Sequence, residues 1–353
     1  MATMSGRERV LAAMQFRPTD VLPVQPLIAE YSTVTVRMSM RDFYSSAENL
    51  ARAQVATYRA LGHDMLFLAS DQYYIPEGMG GRYDFPENEA PAQLEPPAHA
   101  LDQVFDLEVP DPHSAGRMPM VLDAIRRVRR ALGGEVALRA PGIGVTSMAA
   151  SLIGLDRFLE ALGLIELDLP EARPDVITRC FELAAETLTR WGMACREAGA
   201  DIQNHGDSLA SCDVLSPRIY ARWSQPYERQ VISAWKAEGL PAILHICGNT
   251  TPILPLMAET GAACLEIDHK VDLRTAKEVV GRRACLIGNL DPVAVLVEGT
   301  PEQVRQAAEK CIAAASTGGG YILGSGCHVP RATPLQNLRE MVSAAHTHPN
   351  NFS

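Results

Sequence analysis

An imidazole and a thiol stand two residues apart in Leu244-His245-Ile246-Cys247-Gly248. In an extended strand, residues i and i+2 point to the same face, so these two side chains lie next to each other. Neutral imidazole and thiolate are zinc ligands and suit magnesium or calcium poorly. A further sulfur, Cys327, lies between Gly326 and His328. One histidine and two cysteines leave one of the four tetrahedral positions open, as in a catalytic zinc site and unlike a closed structural one. The competing reading makes His245 a satisfied core histidine and both cysteines buried thiols. Gly248 and Gly326 weigh towards the ion, because bare backbone beside each sulfur permits close approach.

Other polar residues recur where apolar runs stop. Asp71, Asp207 and Asp268 are candidate catalytic carboxylates, placed to tune the cavity or support the ligands. Tyr73, Asn249 and Asn289 are candidate substrate contacts, and Tyr31 and Tyr74 are further aromatic candidates. Each of the aspartates and asparagines also fits a helix cap or a turn, and Asp291-Pro292 reads as a helix start. His205 and His269 are weaker candidates for a fourth ligand, and His346 and His348 are expected to be exposed. Cys180, Cys195, Cys264, Cys285 and Cys311 lie in apolar or amphipathic runs and read as buried, reduced thiols.

Chemistry of this kind needs a scaffold that gathers strand ends. Eight β-rich runs are legible: Val21–Leu27, Met65–Ala69, Val136–Ala140, Ile202–His205, Ala242–Cys247, Ala263–Ile267, Ala284–Gly288 and Gly320–Gly324. Most are continuously apolar, as expected of parallel strands covered on both faces. Helical periodicity separates them, over Asn49–Leu61, Met120–Leu132 and Pro174–Ala198. Ser216-Pro217, Thr251-Pro252, Thr300-Pro301 and Thr333-Pro334 each set a capping hydroxyl before a first-turn proline. Gln303 and Gln336 complete two capping boxes. The order predicts an α/β fold, a closed (β/α)8 barrel, with residues 1–353 as one domain. The polar residues above then fall at the C-terminal mouth, where such barrels carry out chemistry. An open doubly wound sheet would favour a Gly-rich turn after its first strand, and Gln25-Pro26-Leu27 has none. The stretch from Asp71 to Pro119 is too long for an ordinary connection and reads as an elaborated loop over the mouth.

Composition removes other classes. The chain has 353 residues, is 47% hydrophobic and 21% charged, and carries a formal charge of −10. No basic stripe is present, so nucleic acid is not an expected partner. The longest apolar run, near Ala140–Leu155, contains a proline and is too short to span a bilayer, so no membrane association is expected. The start of the chain has charges at Arg7, Glu8 and Arg9 and no apolar signal core, which predicts a cytoplasmic protein.

Longer motifs add a resemblance. Arg7-Glu8-Arg9-Val10-Leu11 precedes Asp20-x-x-Pro23-Val24; Glu197-Ala198-Gly199-Ala200-Asp201 precedes Ser216-Pro217 and Pro226. Then come Leu244-His245-Ile246-Cys247-Gly248-Asn249-Thr250, Gly288-Asn289-Leu290-Asp291-Pro292, and Gly320-Tyr321-Ile322-Leu323 through Gly326-Cys327 to Pro330, Thr333-Pro334 and Asn337. Together these resemble the uroporphyrinogen decarboxylase superfamily, in its zinc-dependent cobamide methyltransferase branch. The resemblance implies a (β/α)8 barrel, zinc on His245, Cys247 and Cys327, and methyl transfer involving a corrinoid. Two departures matter. The decarboxylases' RQAGR-like arginine segment is replaced by Leu27-Ile28-Ala29-Glu30-Tyr31-Ser32, although Asp71 falls near their catalytic aspartate. No D-x-H-x-x-G cobalt-ligand motif is present, so the corrinoid is expected on a separate carrier protein. The leading expectation is a methyltransferase whose acceptor is a thiol activated by zinc. The alternatives are demethylation of a methyl ether by the reverse transfer, a metal-free decarboxylase, and a binding module without turnover.

Overall fold

A computed structural model describes residues 3–348. All eight predicted strands form, most of them trimmed at one end or both: β1 Val24–Gln25, β2 Met65–Phe67, β3 Ala137–Ala140, β4 Ile202–Gly206, β5 Ala242–Ile246, β6 Cys264–Ile267, β7 Cys285–Leu290 and β8 Tyr321–Ser325. Their order is β2-β3-β4-β5-β6-β7-β8-β1, every pairing parallel, with helices between successive strands. This is a (β/α)8 barrel.

The seam between β1 and β2 is closed by one residue. The Asp64 N–H donates to the Val24 carbonyl at 2.9 Å. The Val24 N–H in turn donates to Asp64 Oδ2 at 2.9 Å. Arg9 Nη1 and His346 Nε2 reach the same carboxylate at 3.0 and 2.8 Å. His346 is therefore a part-buried tie between the last helix and the barrel, and not the exposed residue its C-terminal position predicts.

Alternation along the strands sorts the barrel interior into layers. The N-terminal end is a dry plug. Val10, Ala13 and Met14 of the helix Gly6–Met14 pack on Met65, Ala137, Ile202, Ile243, Cys264, Cys285 and Ile322. Two residues further along, the layer turns polar, with Gln25, Arg139, Asn204 and Glu266 all buried. Outside, the helix Met118–Leu132 buries Val121, Leu122, Ile125, Val128 and Leu132 and leaves Arg126 and Arg127 in solvent.

The start signals divide. Thr300 forms its capping box with Gln303, and Ser216 caps the short turn Pro217–Ile219. Thr333 does not cap. Its N–H closes a turn onto Pro330, its hydroxyl is buried without a partner, and the last helix starts at Leu335, so no box with Gln336 forms. Thr251 opens a single 3-10 turn without capping it. Asp291 closes a turn on the N–H groups of Val293 and Ala294 at 2.8 and 2.9 Å, and no helix follows.

Residues 71–119 fold as the predicted elaboration: a helix at Tyr74–Glu77, a hairpin of Arg82–Asp84 with Ala92–Glu95, and a 3-10 helix at Leu101–Asp106. Its residues Gln72, Tyr73, Tyr74, Ala90 and Pro91 line the same cavity as the C-terminal strand ends. Among the described residues, no helix is long and apolar enough to cross a membrane.

Candidate metal centre and its cavity

His245 points inward from β5, and Cys247 follows where the strand ends. His245 Nε2 lies 3.1 Å from Cys247 Sγ, and Cys247 Sγ lies 3.7 Å from Cys327 Sγ, beyond the end of β8. The three ligand atoms are all within 4.8 Å of one another. A tetrahedral zinc with Zn–S bonds of about 2.3 Å would hold its two sulfurs about 3.8 Å apart. The sulfurs therefore already stand at zinc spacing, and the soft donor set suits that ion.

The imidazole is oriented from behind. His245 and Glu266 are register partners on β5 and β6. His245 Nδ1 lies 3.2 Å from the Glu266 carbonyl and 3.4 Å from its carboxylate. A proton held at Nδ1 leaves the Nε2 lone pair facing the sulfurs. Glu266 is gripped in turn by Arg139 of β3, with contacts of 2.8 and 2.9 Å between side chains 0% and 1% exposed. Asp268 accepts the Gly248 N–H at 2.9 Å and so holds the turn that follows Cys247.

Cys247 is held well below the usual thiol range by the hydrogen bond from Cys327, against burial and with help from His245. Cys327 is driven up correspondingly by the neighbouring Cys247 and by burial. Burial would depress His245, yet the Cys247 thiolate outweighs it and raises the imidazole to about 9.

The trio opens into a cavity of about 410 Å³ lined also by Glu30, Phe67, Asp71, Tyr73, Arg139 and His328. Three of the other predicted residues, Asp71, Tyr73 and Tyr74, line it. Asp71 is held by Arg117 at 2.7 and 3.0 Å and accepts the Tyr73 N–H at 2.8 Å, which makes it a brace for the loop. Tyr73 stacks on Tyr83 with centroids 4.6 Å apart.

Several candidates lie elsewhere. Asp207 is fully buried, and its oxygens accept the N–H groups of Thr146 and Ser147 at 2.8 Å, capping the helix Val145–Ile153. Asn249 is exposed and closes a turn onto the Thr251 N–H. Asn289 donates to the carbonyls of Asp268 and Val271 at 3.1 and 2.8 Å, stitching the β6 loop. Tyr31 is buried in the core. His205 turns away from the mouth and accepts the Val145 N–H at Nε2. His269 faces Asp268 and Asp291 at 3.1 and 3.7 Å. Of the five cysteines read as core thiols, Cys311 is only partly buried, and all eight are free. The two glycines are required, but by neighbouring chain. At Gly248, φ is +82° and a Cβ would collide with Asp213 Oδ2 and meet Ser211 Oγ at 2.7 Å; at Gly326 it would collide with the His269 backbone nitrogen.

The uroporphyrinogen decarboxylase (URO-D) family model matches residues 5–348. The chain belongs to this family. Within it, the chain is 28% identical over 354 residues to a methylcobamide:CoM methyltransferase of Methanosarcina acetivorans, covering 98% of each. It is also 28% identical over 322 residues to a uroporphyrinogen decarboxylase of Carboxydothermus hydrogenoformans, covering 90% of this chain and 88% of that one. A solved methyltransferase from Methanosarcina mazei superposes with a TM-score of 0.86 at 26% identity, covering 97% of this chain and 98% of that one.

Sequence reading missed three residues of this site: Arg139, Glu266 and Glu30. Arg139 and Glu266 did leave a signal, since each is a lone charge inside a buried strand, and such charges persist only when paired. Glu30 lies between β1 and the helix Tyr31–Val36, and it faces the cavity.

Proposed function

We propose that this protein is a corrinoid-dependent methyltransferase that holds zinc on His245, Cys247 and Cys327 and moves a methyl group from a corrinoid carrier protein to a thiol. The observation that carries the reading is the convergence of one imidazole nitrogen and two sulfurs, from the ends of β5 and β8, with the sulfurs at zinc spacing beside an open cavity. Similarity to methylcobamide:CoM methyltransferases over nearly the whole chain supports the same chemistry. Bound zinc would lower the pKa of a thiol so that a thiolate is present at neutral pH.

The chain's own residues supply the rest. Glu266 and Arg139 fix the imidazole, and Asp268 fixes the turn after Cys247. Ser208 Oγ lies 3.5 Å from Cys247 Sγ, within hydrogen-bond reach of that sulfur. The segment 71–119 walls the cavity with Tyr73 and Tyr74 and shields the acceptor from water. Glu30, where an arginine would grip a polycarboxylate, disfavours decarboxylation of such a substrate.

Elemental analysis of wild type and of Cys327→Ala, with methyl transfer from methylcobalamin to thiols, tests this reading. About one zinc per chain, lost in the variant together with transfer, is the expected result. Absence of zinc after purification without chelators and after zinc addition would overturn the metal assignment. Demethylation of an ether in the absence of any thiol would overturn the direction.

A further inference from the structure

The groups that bind an anion at a barrel mouth are cationic side chains with free N–H groups and open helix N-termini. Here most are already occupied. Among the described residues, Arg139 is the one arginine lining the cavity, and all five of its N–H groups point at acceptors: Nε at Asn204, Nη1 at Gln25 and Glu266, Nη2 at Asn204 and Glu266. His328 is an exception: its Nδ1 lies 3.7 Å from Glu30, beyond hydrogen-bond reach, so any charge it carries faces that carboxylate without occupying its N–H. The helix Val145–Ile153 begins beside the cavity, just after the lining residues Gly142 and Ile143. Its first N–H groups are taken by His205 and Asp207. No lysine lines the cavity among the described residues.

The free capacity is of the opposite kind. Glu30 accepts the Tyr44 hydroxyl at 2.6 Å, and its carboxyl is held low, at about 2, by His328 and Tyr44 against burial. Tyr73, stacked on Tyr83, adds an aromatic wall. A carboxylate beside aromatic rings is a setting for a cationic or hydroxylated group. An anionic group brought here would lose water, find the N–H groups of Arg139 and of the helix already taken, and face Glu30.

We propose that the small-molecule partner of this site is a thiol whose far end is cationic or neutral, and that the cavity discriminates against sulfonate, carboxylate and phosphate ends. This names the charge class of the acceptor and rests on the thiol methyltransferase reading above. Coenzyme M, the thiol in the name of its relatives, ends in a sulfonate and falls on the disfavoured side.

The test uses product-like probes that bind whichever way the methyl group moves. Calorimetric binding of 2-(methylthio)ethylamine, 2-(methylthio)ethanol and 2-(methylthio)ethanesulfonate to the purified protein should rank amine, alcohol, sulfonate, with about tenfold between the ends. Glu30→Gln should shrink that gap to within about threefold, chiefly by weakening the amine. Equal or tighter binding of the sulfonate, or no binding by any probe, would overturn the proposal. Methylcobalamin assays with cysteamine, 2-mercaptoethanol and 2-mercaptoethanesulfonate run in parallel. Methylation of none of the three, with the binding order retained, would remove the thiol-acceptor reading and leave the charge class standing.

Discussion

Replacing Glu266 by glutamine separates two jobs that one carboxylate performs. The Arg139–Glu266 pair is buried on both sides, 1% and 0% exposed, and joined by two contacts of 2.8 and 2.9 Å. Removing one charge of such a pair leaves the other in a medium that solvates it poorly, at a cost of about 3–5 kcal/mol. Glutamine keeps the shape and one carbonyl, which puts Glu266→Gln near the lower end, about 3 kcal/mol. His245 Nδ1 also loses the carboxylate at 3.4 Å while keeping the backbone carbonyl at 3.2 Å. Zinc affinity should then fall about 10- to 100-fold. The double variant Arg139→Met with Glu266→Leu removes both charges. It should recover most of the stability and none of the affinity, because replacing a whole buried pair by apolar side chains is often neutral. Guanidinium unfolding of chelator-treated protein measures the first quantity, and competition with a chromophoric chelator measures the second. Equal destabilisation of the single and double variants would show that an unpaired charge is not the cause. Unchanged zinc affinity in both would show that Glu266 does not hold His245.

Two further predictions concern stability. Asp64→Asn weakens the barrel seam at Val24 and strips the carboxylate from Arg9 and His346; a loss of about 2–3 kcal/mol, read from the guanidinium midpoint, is expected, and a loss under about 0.5 kcal/mol would refute the seam role. Burial lowers His205 and His63 from an ordinary 6.5 to about 3 and about 4. Between those values the unfolded chain binds protons that the folded chain refuses. Stability is therefore complete above about pH 6.5 and lost as pH falls, by about 2 kcal/mol per histidine from about pH 7 to about pH 5. Unfolding midpoints of wild type and His205→Asn across that range check it: the variant's profile should be shallower by one histidine's share, and parallel profiles would refute the assignment.

Much of this molecule is legible in the chain because the responsible forces act over a few residues. The eight strands are runs of apolar side chains, and a run covered on both faces must be an inner strand. Thr300 with Gln303 caps a helix whatever surrounds it. His245 and Cys247 face one way because a strand alternates, and their chemistry narrows the ion before any coordinate is known. Cys327 joins them because a closed barrel brings β5 and β8 to one mouth.

The carboxylates were not legible in the same way. Asp71, Asp207 and Asp268 look alike in sequence, each a lone aspartate after an apolar run. Their roles separate through the donors that distant segments bring within about 3 Å: Arg117 for Asp71, the N-terminus of a neighbouring helix for Asp207, the Gly248 N–H for Asp268. Arg139 and Glu266 show a charge inside an apolar run in sequence, yet only the strand register brings the pair to His245. Glu30 and its consequence for substrate charge depend on which cations remain free, and that depends on every pairing around the mouth. The sequence by itself therefore determined the elements, the barrel and the grouping of His245, Cys247 and Cys327 that we propose holds metal, whose causes are periodicity, capping and ligand chemistry within a few residues. Only the tertiary structure decided which polar groups face the cavity and which are already paired, because hydrogen bonds and ion pairs are set by distances between segments far apart in the chain.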